Sequence, residues 1–389
     1  MPKVALVLGT RPECNKLAPV YAELRRRAEH FEARLIVTGQ HREMLRQMLE
    51  VFELVPDHDL EVMVPGQGLG ELTARLVDSL TQTLRDERPD CVLVQGDTCT
   101  TMAGALAAFY HKVPVGHVEA GLRTGERYSP FPEEMYRRLT GQIADLHLAA
   151  TRRARHNLQA EGVDPLSIFV TGNTVVDALQ AIRARSRSLH GTPWEWVEAL
   201  EGRLVLATVH RRENWGVPFT RICAALQGLT ERFRDVTLLF ATHLNPRVKQ
   251  SAQELLGGVE RVVLCDPPDY LHFVRLMERA DLIITDSGGI QEEAPTLGVP
   301  TLVVRETTER PEGVEVGAVL LVGTETEVIL ARAAALLDDP ARYAQAAEAP
   351  NPYGDGRAAS RVVDAVEYRL GLRTERPADF DYLAAARAD

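Results

Sequence analysis

"ITDSGGIQEEAPTLGVP", residues 284 to 300, decides how the chain is read. An apolar strand-like run stops at Asp286. Ser287-Gly288-Gly289 follows, and a helical pattern begins that carries Glu292 and Glu293. Strand, glycine turn and helix form the repeating unit of a doubly wound α/β sheet. Glycines let a phosphate approach backbone amides, and a helix N-terminus adds partial positive charge. Glu293, about one turn in, can accept hydrogen bonds from two ribose hydroxyls. The stretch reads as a nucleotide site, set against a plain tight turn before a helix whose acids complement its dipole.

The same alternation extends in both directions. A first series of runs is "KVALVLG", "ARLIVTG", "CVLVQGD", "VPVGHVEAG" and "IFVTGN"; a second is "LVLATVH", "VTLLFATH", "RVVLCD", "DLIITDSGG" and "VPTLVVRE". Runs that are apolar throughout suit parallel strands buried on both faces. Two series separated by helical patterns predict two Rossmann-like domains, divided near residues 186–202 and facing each other across a cleft. Ligands of such sheets sit at the carboxyl ends of strands. The polar oddities fall there: Gly9-Thr10-Arg11, Gly96-Asp97-Thr98, Glu119-Ala120-Gly121, His210-Arg211-Arg212, His243 and Asp286 to Gly289.

Composition narrows the classes. The 389 residues exceed one comfortable core and predict two or three domains. A net charge of -11 argues against a nucleic-acid surface. No apolar run approaches the ~18 residues of a membrane helix. "MPKVALVLGT" enters a strand pattern directly, so a cytoplasmic protein is expected. Arginine outnumbers lysine 40 to 4, a composition bias that makes Lys16 conspicuous. Five cysteines without a Cys-x-x-Cys pair predict reduced, mostly buried thiols and no zinc framework. "LGTRPE" has one glycine where a dinucleotide fingerprint needs three, so NAD is not indicated. Asp57-His58-Asp59 reads as a solvated turn, not as a metal-binding Asp-x-Asp motif.

These motifs line up with a family. "GTRPECNKLAP", "QGDTCTTMAGALAAF", "HVEAGLRTGERYSPFPEEMYRR", "HRRENWG", "THLNP", "DSGGIQEEAPTLGVP" and "TTERPEGVE" closely resemble the non-hydrolysing UDP-N-acetylglucosamine 2-epimerases, in order, from about residue 3 to 371. The resemblance implies the glycosyltransferase-B fold: a first domain over 1–185, a UDP-binding domain over 186–356, and a C-terminal helix with tail over 357–389 that returns to the first domain. It implies interconversion of UDP-GlcNAc and UDP-ManNAc without metal or other cofactor, a homodimer, and a place in cell-surface polysaccharide synthesis. The C2 hydrogen is not next to a carbonyl. The family therefore expels UDP by anti elimination to 2-acetamidoglucal and adds it back with a proton on the opposite face. That needs acid/base carboxylates at the sugar and cations on the departing diphosphate.

By resemblance, Asp97, Glu119 and Glu133 are the catalytic carboxylates and His210 the essential histidine near the phosphates. Arg11, Lys16, Arg211 and Arg310 match nucleotide or diphosphate positions, and Phe273 a position near uracil. His243, Ser287, Gly288, Gly289 and Glu293 complete the UDP site. Gln40-His41 and Gln67 match a pocket where many bacterial members bind a second, activating UDP-GlcNAc; the arginine expected beside Gln67 is Gly66 here. Cys14-Asn15, in place of two apolar residues, and Pro268, in place of a polar one, also depart from the family. The Asn15 change could tilt the first helix turn or reach the ligand. The rivals are a hydrolysing epimerase that releases ManNAc, a retaining glycosyltransferase and an inactive nucleotide-sugar sensor.

Overall fold

The computed structural model describes residues 1–40, 42–64, 66–185, 188–242 and 245–385, which fall into two units. The first comprises Met1–Ala178 and Tyr353–Ala385; the second is Leu179–Pro352.

In the first unit the described residues form a parallel sheet of seven strands: β1 (Lys3–Leu8), β2 (Glu32–Val37), β3 (His58–Asp59), β4 (Cys91–Gln95), β5 (Val115–Ala120), β6 (Leu146–Ala149) and β7 (Ile168–Val170). Their order is β3-β2-β1-β4-β5-β6-β7. Val4 to Leu8 and Cys91 to Val94 are fully buried, as continuous apolar runs require when helices cover both faces. The order reverses between β1 and β4, the switch point at which such sheets bind ligands.

The second unit repeats the plan. Strands β8 (Arg203–Thr208), β9 (Val236–Ala241), β10 (Val262–Cys265), β11 (Leu282–Thr285), β12 (Thr301–Val303) and β13 (Val319–Leu321) form a parallel sheet ordered β10-β9-β8-β11-β12-β13. Its switch point lies between β8 and β11. Both units are Rossmann-like and doubly wound, the glycosyltransferase-B type expected.

The expected runs are all strands. Three further strands join them: β6, β13 and the two-residue β3. The last puts a short strand at His58–Asp59 where a turn was expected, while Asp57 and Asp59 are exposed as a solvated segment requires. The Asp57 carboxylate accepts the Leu35 backbone N–H at 2.7 Å, and His58 Nε2 bonds Glu87 at 2.7 Å, which pins the segment beside β2.

The C-terminal helix Ala358–Arg369 belongs to the first unit. Arg27, at the end of helix Arg11–Arg26, pairs with Asp364 at 2.7 Å. Asp177 accepts the N–H groups of Ala358 and Ala359 at 3.2 and 2.8 Å, satisfying orphan donors that Arg357 leaves uncapped. Asn15 lies within helix Arg11–Arg26.

Candidate active site

In the first unit every strand end near the switch point contributes a polar group. β5 ends irregularly: its pairing with β6 shifts register between Val118 and Ala120, and Glu119 there takes a positive φ of 62°. A non-glycine residue in the left-handed region is uncommon and is held there by its surroundings. The bulge re-aims the Glu119 side chain. Its carboxylate meets the Lys16 ammonium, Gln95 Nε2 at 2.5 Å and Asn173 Nδ2 at 3.0 Å. A Cβ on Gly96, whose φ is 75°, would lie 3.6 Å from Glu119 Oε2. Glu119 therefore sits against the turn that presents Asp97.

Asp97 pairs with Arg137, which also contacts the fully buried Glu134 at 3.3 Å. Arg137 stands on helix Glu133–Ile143, whose first residue is Glu133. Glu133 Oε2 is buried without a hydrogen-bond partner among the described residues. Asp97 and Glu119 thus meet at the Gly96 turn, and Glu133 starts the helix that carries Asp97's partner Arg137. Lys16 is buried on helix Arg11–Arg26, and Arg11 is exposed at that helix's start. Gln40 accepts the Thr100 hydroxyl at 2.9 Å, and Gln67 Nε2 donates to Met63 Sδ at 3.1 Å. His41 lies outside the described residues.

In the second unit the fully buried Asp286 organises the turn after β8. It accepts the N–H groups of His210 at 3.0 Å and Arg211 at 2.8 Å, and Asn214 Nδ2 at 2.9 Å. His210 Nδ1 lies 3.2 Å from Asp286 Oδ1, which fixes the ring's orientation. Arg211 Nε donates to the Asp286 carbonyl at 3.0 Å.

Helix Gly288–Leu297 starts at the predicted turn. A Cβ on Gly288 would come within 2.6 Å of Arg310 Nη1, so only glycine lets this guanidinium lie over the helix start. Arg310 Nε is held by Glu292 at 2.7 Å. Glu292 and Glu293 stand beyond the first turn and are buried, not solvated acids serving the helix dipole. Glu293 Oε1 accepts the Tyr270 hydroxyl at 2.5 Å. Phe273 is half-buried on helix Tyr270–Arg279. Ser287 caps the strand end through its N–H to Thr285 Oγ1 at 3.0 Å, and a Cβ on Gly289 would lie 3.9 Å from Ser287 Oγ. His243 lies outside the described residues.

Arg211, Arg305 and Arg310 surround Glu309. Burial works to raise the Glu309 carboxyl, but the Arg305 hydrogen bond and the charges of Arg310 and Arg211 outweigh it and hold it at about 2. Arg211 is pushed below its ordinary value by burial, and by Arg305 and Arg310 against the pull of Glu309. Glu309, Glu292 and Glu213 lie against these three guanidiniums, so their charges balance, and the neighbouring helix N-terminus supplies the partial positive charge that favours an incoming phosphate.

Sequence reasoning missed Glu13, Gln95, Arg137, Asn173, Arg305 and Glu309. Gln95 and Asn173 each adjoin a positive-φ glycine at a strand end, Gly96 and Gly172, a signal that could have found them. Arg137 lay three residues past an acidic pair, with nothing local to mark its partner.

Comparison with known proteins follows the same lines. Residues 22–367 match the family model described as UDP-N-acetylglucosamine 2-epimerase. The chain is 50% identical over 376 residues to UDP-N-acetylglucosamine 2-epimerase of Salmonella typhimurium, covering 95% of this chain and all of that protein. It resembles the crystal structure of a putative UDP-N-acetylglucosamine 2-epimerase from Listeria monocytogenes, with a TM-score of 0.91 and 46% identity over 97% of this chain and 99% of that one. It also resembles UDP-GlcNAc 2-epimerase from Neisseria meningitidis bound to UDP-GlcNAc, with a TM-score of 0.86 and 44% identity over 94% of this chain and 99% of that one.

Proposed function

The chain belongs to the UDP-N-acetylglucosamine 2-epimerase family, and from that premise we propose that it interconverts UDP-GlcNAc and UDP-ManNAc without hydrolysis. The guanidiniums of Arg211 and Arg310, with the turn at Ser287 to Gly289, receive the diphosphate, and His210 is aimed by Asp286. Glu293 takes the ribose hydroxyls. By resemblance, Arg11 and Lys16 are further nucleotide or diphosphate contacts. Phe273 packs near the base.

The reaction is an anti elimination. A carboxylate removes the C2 proton, the C1–O bond to UDP breaks, and the electron pair left at C2 forms the C1=C2 bond of 2-acetamidoglucal. UDP then re-forms the C1–O bond while a proton reaches C2 from the opposite face. Asp97, Glu119 and Glu133 are the groups that accept and return these protons. Positive charge on the diphosphate lowers the cost of its departure.

The observation that carries this reading is Glu119. It is an acid held at positive φ in a bulge, gripped by Lys16, Gln95 and Asn173, beside the turn that bears Asp97. A retaining glycosyltransferase needs no C2 proton acceptor, which disfavours that rival. The test is incubation with UDP-GlcNAc in heavy water. The expected product is UDP-ManNAc deuterated at C2; free ManNAc would instead mark a hydrolysing enzyme. A cytoplasmic homodimer that feeds cell-surface polysaccharide synthesis is the setting we infer from the family.

A further inference from the structure

Glu13 is fully buried at the start of helix Arg11–Arg26, between Arg11 and Lys16 in sequence. Its two oxygens serve two different strand ends. Oε2 accepts the N–H of Gly9 at 2.9 Å, the N–H of Thr10 at 2.7 Å and the Thr10 hydroxyl at 2.8 Å, all in the turn after β1. Oε1 meets the Thr98 hydroxyl at 2.6 Å and the Thr101 hydroxyl at 3.0 Å, in the turn after β4. A helix cap alone would explain the Oε2 contacts. It would not explain why Oε1 reaches across the switch point to the residue that follows Asp97.

The consequences run along both turns. Thr98 caps helix Cys99–Tyr110 by accepting the Thr101 N–H at 3.0 Å, and Thr101 bonds the Gln95 carbonyl at 2.5 Å. Gln95 in turn holds Glu119. On the other side, Lys16 follows Glu13 by three residues on the same helix and pairs with the same Glu119. One buried carboxylate therefore fixes the spacing between the strand end that carries Lys16 and the strand end that carries Asp97. Burial raises the Glu13 carboxyl, while the hydrogen bonds from Thr98, Gly9, Thr10 and Thr101 pull the other way.

We propose that Glu13 is a positioning residue for the epimerisation, setting Asp97 and the Lys16–Glu119 pair in register through Thr98 and Thr101. The proposal rests on the epimerase reading above. Glu13 touches no reacting atom and acts on the rate, not on substrate affinity.

The test is a double-mutant cycle on turnover in the deuterium assay, with wild type as the control that tests the epimerase reading by itself. Glu13→Gln keeps the shape but puts an amide where Oε1 or Oε2 accepts. Thr98→Val removes the hydroxyl that couples the turns, and Thr98→Ser restores it. Expected results are kcat lowered by roughly 10- to 100-fold in Glu13→Gln and in Thr98→Val, KM for UDP-GlcNAc within a few-fold of wild type, and near-normal turnover in Thr98→Ser. The double variant should be no slower than the slower single one, because both changes break one link. An active wild type with unchanged kcat in Glu13→Gln, or with strictly multiplicative losses in the double variant, overturns the proposal. If Glu13→Gln does not fold, Thr98→Val against Thr98→Ser decides: equal turnover in the two overturns it. A wild type that makes no UDP-ManNAc refutes the epimerase reading instead.

Discussion

Arg137 lays its guanidinium on the carboxylate of Asp97, from a helix that begins with Glu133. The contact ties a proposed acid/base group to the buried Glu134 through a cation that is itself almost fully buried. Such a pair fixes geometry more than it adds stability. Arg137→Met should lower turnover by roughly 100-fold, the scale of a misplaced acid/base group, and leave UDP binding nearly unchanged. Arg137→Lys should recover only part of the loss, since an ammonium cannot span Asp97 and Glu134 in the same fork. Initial rates with UDP affinity by calorimetry decide; full activity in Arg137→Met would remove Arg137 from this role.

Asp97→Asn, Glu119→Gln and Glu133→Gln should each cut turnover by roughly 100-fold or more. Loss of UDP affinity should be much smaller, because the phosphate contacts proposed for Arg211 and Arg310 are untouched. A variant that kept near-normal turnover would take its residue out of the acid/base set. Glu119→Gln has a second expected effect. With the carboxylate gone, Lys16 loses the negative charge it pairs with, and of Gln95 and Asn173, which donate to different oxygens, only one keeps its acceptor.

Much of this was legible before the structure. Both sheets announced themselves because their strands are apolar on both faces, and the proposed acids and the glycine turn stand at strand ends, where α/β sheets bind ligands. What escaped has a common cause. "LHLA" at β6 carries His147 in a short run, and "VLL" at β13 is three residues, so neither outweighs the helical patterns beside it. His147 and His117 are both buried. Burial drives the His117 ring down to about 3, and the His147 ring to about 4 with help from Arg123, so both remain neutral core residues. Glu13, Gln95, Arg137 and Asn173 find their partners through space, across 24 to 85 residues for the contacts with Glu119 and Thr98, and no periodicity records that.

Asp286→Ala should weaken UDP binding by at least about 10-fold and destabilise the second unit. The change strips the acceptor from the backbone of His210 and Arg211 and from the Asn214 amide, at about 1–3 kcal/mol for each buried donor left unpaired. Asp286→Asn should be milder, since one oxygen remains. Calorimetry with UDP and denaturant titration measure the two effects separately. Unaltered UDP affinity in the alanine variant would show that His210 and Arg211 do not depend on this anchor.

Asp177 gives the fold a pH dependence with a defined sign. Burial raises its carboxyl from 3.8 to about 6, against the pull of the Ala359 and Ala358 amides. Between about pH 4 and 6 the folded chain binds this proton and the unfolded chain does not, so stability falls as pH rises through that window, by up to about 3 kcal/mol. Glu309, held at about 2, works the opposite way, and its contribution is lost only as pH falls below the ordinary carboxyl range. Denaturant midpoints from pH 4 to 7 should therefore decline less steeply in Asp177→Asn than in wild type. Parallel profiles for the two proteins would assign the slope to other groups.

The last prediction concerns activation by substrate. We propose that this chain needs little or none. In the resembling pocket an arginine would stand where Gly66 stands, and its guanidinium could grip a second diphosphate through paired hydrogen bonds. Gly66 has a φ of 77°, a conformation that glycine adopts freely and an arginine adopts only at a cost. The loop is therefore shaped around the glycine, and restoring the side chain by Gly66→Arg should strain it. The neighbouring Gln67 is turned to Met63, at 3.1 Å from its sulfur. The reverse reaction should run from UDP-ManNAc alone, without added UDP-GlcNAc, and initial rates should be hyperbolic in UDP-GlcNAc. Gly66→Arg should cost about 1 kcal/mol of stability and leave the hyperbolic rate law in place. A strict requirement for trace UDP-GlcNAc in the reverse direction, measured with purified UDP-ManNAc, would show that another group has taken over the missing arginine's contact.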